Sequence, residues 1–347
     1  MKNLGEIGSE FWIEQSPIEL DDIEYGYVLS GRTAIDIILK DIEKKQHIGS
    51  VYMPAYCCDS MLAPFVVHGY NVELYDIAFT NSIQYDIDRS KQVDILYVTN
   101  YFGYNNTLQL DILKWYKDRG AIIIYDRTHS LFREEKQILE IADYTFASIR
   151  KWMGVVTGAV VLKRTGFMDM DLKSCLYWKD KANAMYDKYR YLNGDKEVEK
   201  QQFLDRFGVF GHHLEEDYVN YAMDSYSYQK WLKCNKEMIK QNRNKNAAFI
   251  HSALDGIKAF QFLSNFDTKA VPLFVPIIFN SEEHRNMIRK KLIESQIYCP
   301  IHWPKNKMVQ KSMKVNDIFS RELSLICDQR YSPHELMRMV DVIIKNV

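Results

Sequence analysis

The chain has 347 residues, 45 Lys and Arg against 46 Asp and Glu, and a formal net charge of −1. Near-neutral charge without a basic stripe excludes a nucleic-acid or membrane-surface footprint, and no window approaches the length of a membrane span. The opening MKNLGEIGSEFWIEQS carries no apolar run suited to a signal peptide. Six cysteines, scattered apart from the Cys57-Cys58 pair, match neither zinc spacing nor a disulfide framework. Reduced thiols and a cytoplasmic location are expected.

A polar, aromatic lead-in fills residues 1–29. Ser30-Gly31-Arg32-Thr33 then opens a helix, since Ala34, Ile35, Ile38, Leu39 and Ile42 share one face. Backbone N–H groups are free at such a terminus, which favours an anion, and Arg32 and Thr33 add donors. A strand over Val51–Pro54 runs through Ala55-Tyr56-Cys57-Cys58-Asp59 into a helix closed by Gly69. Strands follow at Val72–Asp76 and Asp94–Thr99, and a helix at Leu108–Asp118. Ala121–Tyr125 is wholly apolar, the pattern of a strand buried on both faces, and ends at Asp126, with His129 just beyond. Asp143–Ala147 is a strand, Ser148–Lys151 a polar loop and Gly158–Leu162 another strand.

Strand and helix alternate over about 130 residues, which implies a mostly parallel sheet with helices on both faces. Tyr56, Tyr101, Asp126, His129 and Lys151 all fall where strands end. Ligands of open α/β sheets bind at that carboxyl edge. Residues 165–230 read as a charged helical excursion, and Tyr226–Leu254 as one long helix. Pro272–Phe279, Glu282–Ser295, Ile297–Pro304, Leu323–Asp328 and a helix opened by Pro333 make a small α+β unit. The expected organisation is a large domain over 1–230 and a small one over 231–347.

The polar residues form the set that pyridoxal phosphate requires. Its phosphate needs donors at a helix N-terminus. Its ring nitrogen needs an anion to stay protonated, its aldehyde needs a lysine, and its flat ring needs an apolar or aromatic face. Asp126, Lys151 and the Gly31–Thr33 turn supply the first three. A lysine amine reacts only when deprotonated, and neighbouring Arg150 is a cation placed to favour that form.

In order along the chain, SGRTAIDIIL, VYMPAYCCDSMLAPFVVHGYNVELYDI, TNYFGY, IIIYDRTHSLF, DYTFASIRKWMGVVTGAVVL, IYCPIHWP and LICDQRYSPHELMRMVDVI resemble segments of the DegT/DnrJ/EryC1/StrS sugar aminotransferases. These are fold type I enzymes dependent on pyridoxal 5'-phosphate. The resemblance implies an aspartate-aminotransferase-like α/β fold and makes Lys151 the cofactor-bonding lysine and proton shuttle. It pairs Asp126 with the ring nitrogen and sets His129 beside the ring hydroxyl. Gly31, Arg32, Thr33 and Ser148 would hold the phosphate, and Tyr56 or Tyr101 would stack on the ring. Implied substrates are glutamate as donor and a nucleotide-linked keto sugar as acceptor, for surface glycan synthesis in a homodimer. Cys58 stands where the family often has an aromatic residue, and the family's GYNxR segment is not found. His302 and Arg330 lie on C-terminal motifs as candidates for facing substrate. A sugar dehydratase of this family would carry histidine in place of Lys151, and a non-catalytic regulator would not need both Asp126 and Lys151.

Overall fold

The computed structural model describes residues 5–15, 26–45, 49–80, 82–104, 108 and 110–347. Parts of the lead-in, 1–4 and 16–25, therefore lie outside the described residues. The main sheet has eight strands: β1 (Tyr27–Val28), β2 (Ser50–Pro54), β3 (Asn71–Phe79), β4 (Ile83–Asp86), β5 (Ile95–Thr99), β6 (Ile122–Asp126), β7 (Tyr144–Ser148) and β8 (Ala159–Lys163). Their spatial order is β1-β8-β7-β6-β5-β2-β3-β4. The central run β7-β6-β5-β2-β3 is parallel, and β8, β1 and β4 add antiparallel edges. This is the expected fold class, a mostly parallel sheet in an α/β protein.

Alternation along the strands divides the core in two. Val51, Met53, Ile95, Tyr97, Ile124 and Phe146 face helices α1 (Gly31–Glu43) and α2 (Asp59–Val67). Tyr52, Leu96, Val98, Ile123 and Tyr125 face the opposite layer, which includes α3 (Leu110–Lys117) and α4 (Lys136–Ile141). Burial on both faces explains why β5 and β6 read as continuous apolar runs. A second, antiparallel sheet comprises β9 (Phe260–Phe262), β10 (Val275–Phe279) and β11 (Glu322–Leu325). Helices Lys236–Ala253, Glu282–Glu294 and Pro333–Asn346 cover it. Pro333 opens its helix as expected, behind a reciprocal Ser332–Glu335 cap. Among the described residues no helix is long and apolar enough to cross a membrane.

Two expectations change. The long helix over Tyr226–Leu254 is two helices, Ser225–Lys233 and Lys236–Ala253. Cys234 is extended, and the Asn235 side chain accepts the Met238 N–H at 3.0 Å, a cap that apolar periodicity cannot reveal. The Ser148–Lys151 loop is a 3-10 turn over Ile149–Lys151. The extended segment Ile297–Pro304 begins with a short strand, Ile297–Tyr298, parallel to Ile7–Gly8.

The turn after β5 is closely packed. Gly103 has φ +79, and a Cβ there would stand 2.1 Å from the Val271 carbonyl oxygen and 3.0 Å from that of His129. Neither backbone can yield cheaply. Gly103→Ala is expected to cost about 2–4 kcal/mol of folding stability, read as a lower urea midpoint with an unchanged slope.

Candidate active site

The carboxyl ends of β5, β6 and β7 converge with the start of α1 on a cavity of ≈ 240 Å³. Gly31, Arg32, Asp126, His129, Ser148 and Lys151 all line it. Parallel pairing fixes this convergence, because Thr99 is in register with Asp126 and Asp126 with Phe146. Residues distant in sequence thus reach one edge of the sheet.

One end of the cavity is a set of donors. Ser30 caps α1, its hydroxyl accepting the Thr33 N–H at 3.2 Å. The Gly31 and Arg32 N–H groups precede the first intrahelical bonds and make none to other described residues. Ser148 is 4% exposed, and its hydroxyl has no protein partner among the described residues. Arg32 donates to the Leu214 carbonyl at 2.7 Å, while its Nε is buried without a partner among the described residues. Leu214 belongs to helix α6 (Lys200–Glu216), which forms a hairpin with α5 (Trp178–Leu192). The helical excursion thus reaches the mouth of the cavity, where Gly211, Leu214 and Glu215 line it.

Asp126 is 4% exposed. Its Oδ1 accepts the Thr128 N–H at 2.7 Å and its Oδ2 the Tyr97 hydroxyl at 2.8 Å. Burial raises its pKa, and the Thr128 and Tyr97 hydrogen bonds and the Lys151 charge offset part of that rise. His129 is buried and held well below the usual imidazole pKa, first by desolvation and then by Lys151 and His302. It is therefore neutral at pH 7. Its Nδ1 faces the Phe102 N–H at 3.4 Å, which places its proton on Nε2. Lys151 ends the 3-10 turn, exposed, with its Nζ 5.9 Å from the centroid of the Trp303 ring.

Three sequence candidates take other places. Thr33 is fully buried, bonded to Ser30, and outside the cavity lining. Tyr56 and Tyr101 are also fully buried outside it. The Tyr56 hydroxyl donates to the His302 carbonyl, and that of Tyr101 to the Tyr56 carbonyl at 2.6 Å. Both rings pack against Trp303, so they back the aromatic wall instead of facing the cavity. Trp303 lines the cavity and stacks on His129 at 5.4 Å and 30°. Cys58 also lines the cavity, so no aromatic ring occupies that position. Sequence reasoning missed Trp303, Tyr97 and Thr128. Only Thr128, two residues past a strand-end aspartate, had a readable signal, that of a turn former.

His302 is buried, its Nδ1 2.8 Å from the Ser324 hydroxyl, which also bonds Glu322. Burial pushes Glu322 up to about 8 and His302 down to about 3. Arg330 forms an ion pair with Asp328 at 2.8 Å.

No protein-family model matches the chain, and no curated protein matches it by sequence. Solved structures match its fold over nearly its whole length. NtdA from Bacillus subtilis with its cofactor PMP bound gives a TM-score of 0.65 at 16% identity, over 92% of this chain and 72% of that one. A DegT DnrJ EryC1 StrS aminotransferase from Brucella abortus gives 0.63 at 13%, over 92% and 84%. DesI in the presence of its TDP-sugar product gives 0.59 at 12%, over 91% and 79%. The chain has the fold of these aminotransferases.

Proposed function

We propose that this protein is a pyridoxal-phosphate-dependent aminotransferase acting on sugars. Glutamate is the proposed amino donor, a nucleotide-linked keto sugar the acceptor, and surface glycan synthesis the role. The observation that carries the reading is that Asp126 and Lys151 line one cavity whose far end holds the open start of α1 and an unpartnered Ser148 hydroxyl. Structural neighbours with bound PMP and with a TDP-sugar product support it, as do the sequence segments that resemble this family.

The donor set fits the cofactor. Gly31, Arg32 and Ser148 would hold the phosphate, as free N–H groups, a cation and a buried hydroxyl suit a dianion. Asp126 would face the ring nitrogen, where a pyridinium partner compensates a buried carboxylate. His129, with its proton on Nε2, is a donor for the ring hydroxyl, and Trp303 offers an aromatic surface in place of the one absent at Cys58. Bound there, pyridoxal phosphate supplies an electron sink for the charge left when the donor's Cα loses its proton. Lys151 takes that proton on Nζ and returns it. No described residue accepts from its amine, which leaves it able to serve both positions. Burial holds His129 and His302 neutral, so neither adds positive charge beside it. We further propose a two-fold homodimer, which light scattering tests directly.

The decisive test is the purified protein's visible absorbance with the cofactor added, its loss on adding glutamate, and mass detection of an aminated nucleotide sugar. Bleaching without an aminated product would overturn the acceptor assignment. Absence of any lysine-bound cofactor band would overturn the reading as a whole. Ser148→Ala should weaken cofactor affinity about 10-fold, the worth of one hydrogen bond to a charged group, without lowering the melting temperature of the cofactor-free protein. Deleting a hydroxyl that has no partner among the described residues should not harm the cofactor-free fold.

A further inference from the structure

A second cavity, of ≈ 520 Å³, also reaches Arg150 and Lys151. The N-terminal segment Ser9–Phe11, Lys181 of α5, His302 and Arg330 contribute to its walls. Several of its cations are already committed. Arg330 places Nε and Nη2 on the two Asp328 oxygens at 2.8 Å each, and reaches the Ser9 and Glu10 carbonyls at 3.3 Å. Arg243 donates to Gln329 at 2.9 Å and to the Pro272 and Leu273 carbonyls at 3.1 and 2.9 Å. Arg330, a candidate for facing substrate, is therefore a clasp for the N-terminal segment.

Arg150 and Lys181 differ. Neither donates a hydrogen bond to any described residue, and the Arg150 Nε is buried without a partner. Lys181 is only 4% exposed, and among the described residues its ammonium meets only the Phe210 ring, at 4.8 Å. Burial pushes it down to about 8, and the Arg150 charge adds to the fall. A desolvated ammonium beside a guanidinium, both lining a cavity, calls for an anion.

The chain brings one close. The Glu10 side chain is exposed to the cavity. Desolvation by the surrounding protein acts to raise its pKa, yet Lys181, Arg150, Lys188 and Arg330 hold it below the usual carboxylate range. Still, it forms no ion pair within 4.0 Å with any described residue. It sits in the field of the cations without closing on them, which leaves room for a second oxyanion.

We propose that Arg150 and Lys181 form a substrate oxyanion subsite beside Lys151, with Glu10 as the chain's own competing carboxylate. The ligand group is a carboxylate or phosphate, carried by the amino donor or by the nucleotide-linked acceptor. Only the identity of that carrier rests on the aminotransferase reading; the cation pair does not.

The test is calorimetric titration of the full-length protein with glutarate and, separately, with uridine diphosphate. One of the two is expected to bind with 1:1 stoichiometry. Lys181→Met should weaken it 10- to 100-fold, the worth of a charged hydrogen bond, and Glu10→Gln should tighten it about 3- to 10-fold by removing the competitor. Tighter glutarate binding assigns the subsite to the amino donor, and tighter uridine diphosphate binding to the acceptor. Lys181 does not line the first cavity, so loss in Lys181→Met distinguishes this site from the phosphate end of that cavity. The proposal is overturned if neither ligand binds, or if a folded Lys181→Met protein binds like the wild type. Should Lys181→Met fail to fold, unchanged affinity in Glu10→Gln overturns it, since Glu10 is exposed and its substitution leaves the core intact. The visible band of the bound cofactor is scored in the same samples. Its absence would count against the aminotransferase reading alone.

Discussion

Lys151→Ala should reduce transamination by at least about 10³-fold while leaving the protein folded and able to grip the cofactor's phosphate. Two separate contributions disappear with one amine. The first is the covalent attachment that holds the reacting carbon in place. The second is the base that moves a proton at Cα, a role worth about 10²–10⁴-fold by itself. The fold should hardly notice. Lys151 is exposed, ends a short 3-10 turn, and makes no hydrogen bond or ion pair to described residues; the Trp303 ring lies 5.9 Å from its Nζ. Gly31, Arg32 and Ser148, the proposed phosphate donors, stand on other elements and keep their places. The measurements are turnover, the melting temperature, and borohydride reduction followed by peptide mass analysis. Wild-type protein should carry a permanent pyridoxyl label on the peptide containing Lys151, and the variant none. A labelled Lys151→Ala protein would move the reacting amine elsewhere in the chain.

Such a result would also test how the sequence encodes the site. Asp126 was legible because it ends a strand whose apolar run marks it as buried, Lys151 because it follows the next strand, and a parallel sheet gathers strand ends at one edge. Gly31 and Arg32 were legible through helix-start chemistry. Tyr56 and Tyr101 misled for the same reason that made the others visible. A tyrosine at a strand end reads alike whether its ring faces a cavity or its hydroxyl satisfies a buried carbonyl, and both hydroxyls do the latter. Trp303 was hidden by distance: it arrives from a segment more than 150 residues beyond Lys151, and long-range approach leaves no local pattern. The same holds for Leu214, which meets Arg32 through a backbone carbonyl that carries no side-chain signature. The edge strand β4 was missed because Ile83–Asp86 is too short to show a period.

Asp126→Asn should separate catalysis from stability, with opposite signs. Turnover is expected to fall about 10²- to 4 × 10³-fold, because removing one partner of a buried charge pair costs about 3–5 kcal/mol and each 1.4 kcal/mol is tenfold. The cofactor-free protein, by contrast, should melt at or above the wild-type temperature at pH 8. Asp126 is buried, and its pKa in the folded protein is raised above the ordinary carboxylate value by that burial. A raised folded pKa means the folded chain binds the proton more tightly than the unfolded one. The associated stability is therefore fully present below the unfolded carboxylate pKa and is lost as pH rises through the folded value. Above that value the empty site holds a carboxylate that burial disfavours, and asparagine removes it. Asparagine retains a carbonyl for the Thr128 N–H and a polar partner for the Tyr97 hydroxyl, so the local bonds survive. Adding pyridoxal phosphate should then reverse the ranking. The wild-type carboxylate gains a protonated ring nitrogen as its counter-ion, and its melting temperature should rise well above that of the variant. A variant that was less stable when empty, and that gained as much from the cofactor as the wild type, would mean Asp126 supports the sheet edge and does not face the ring.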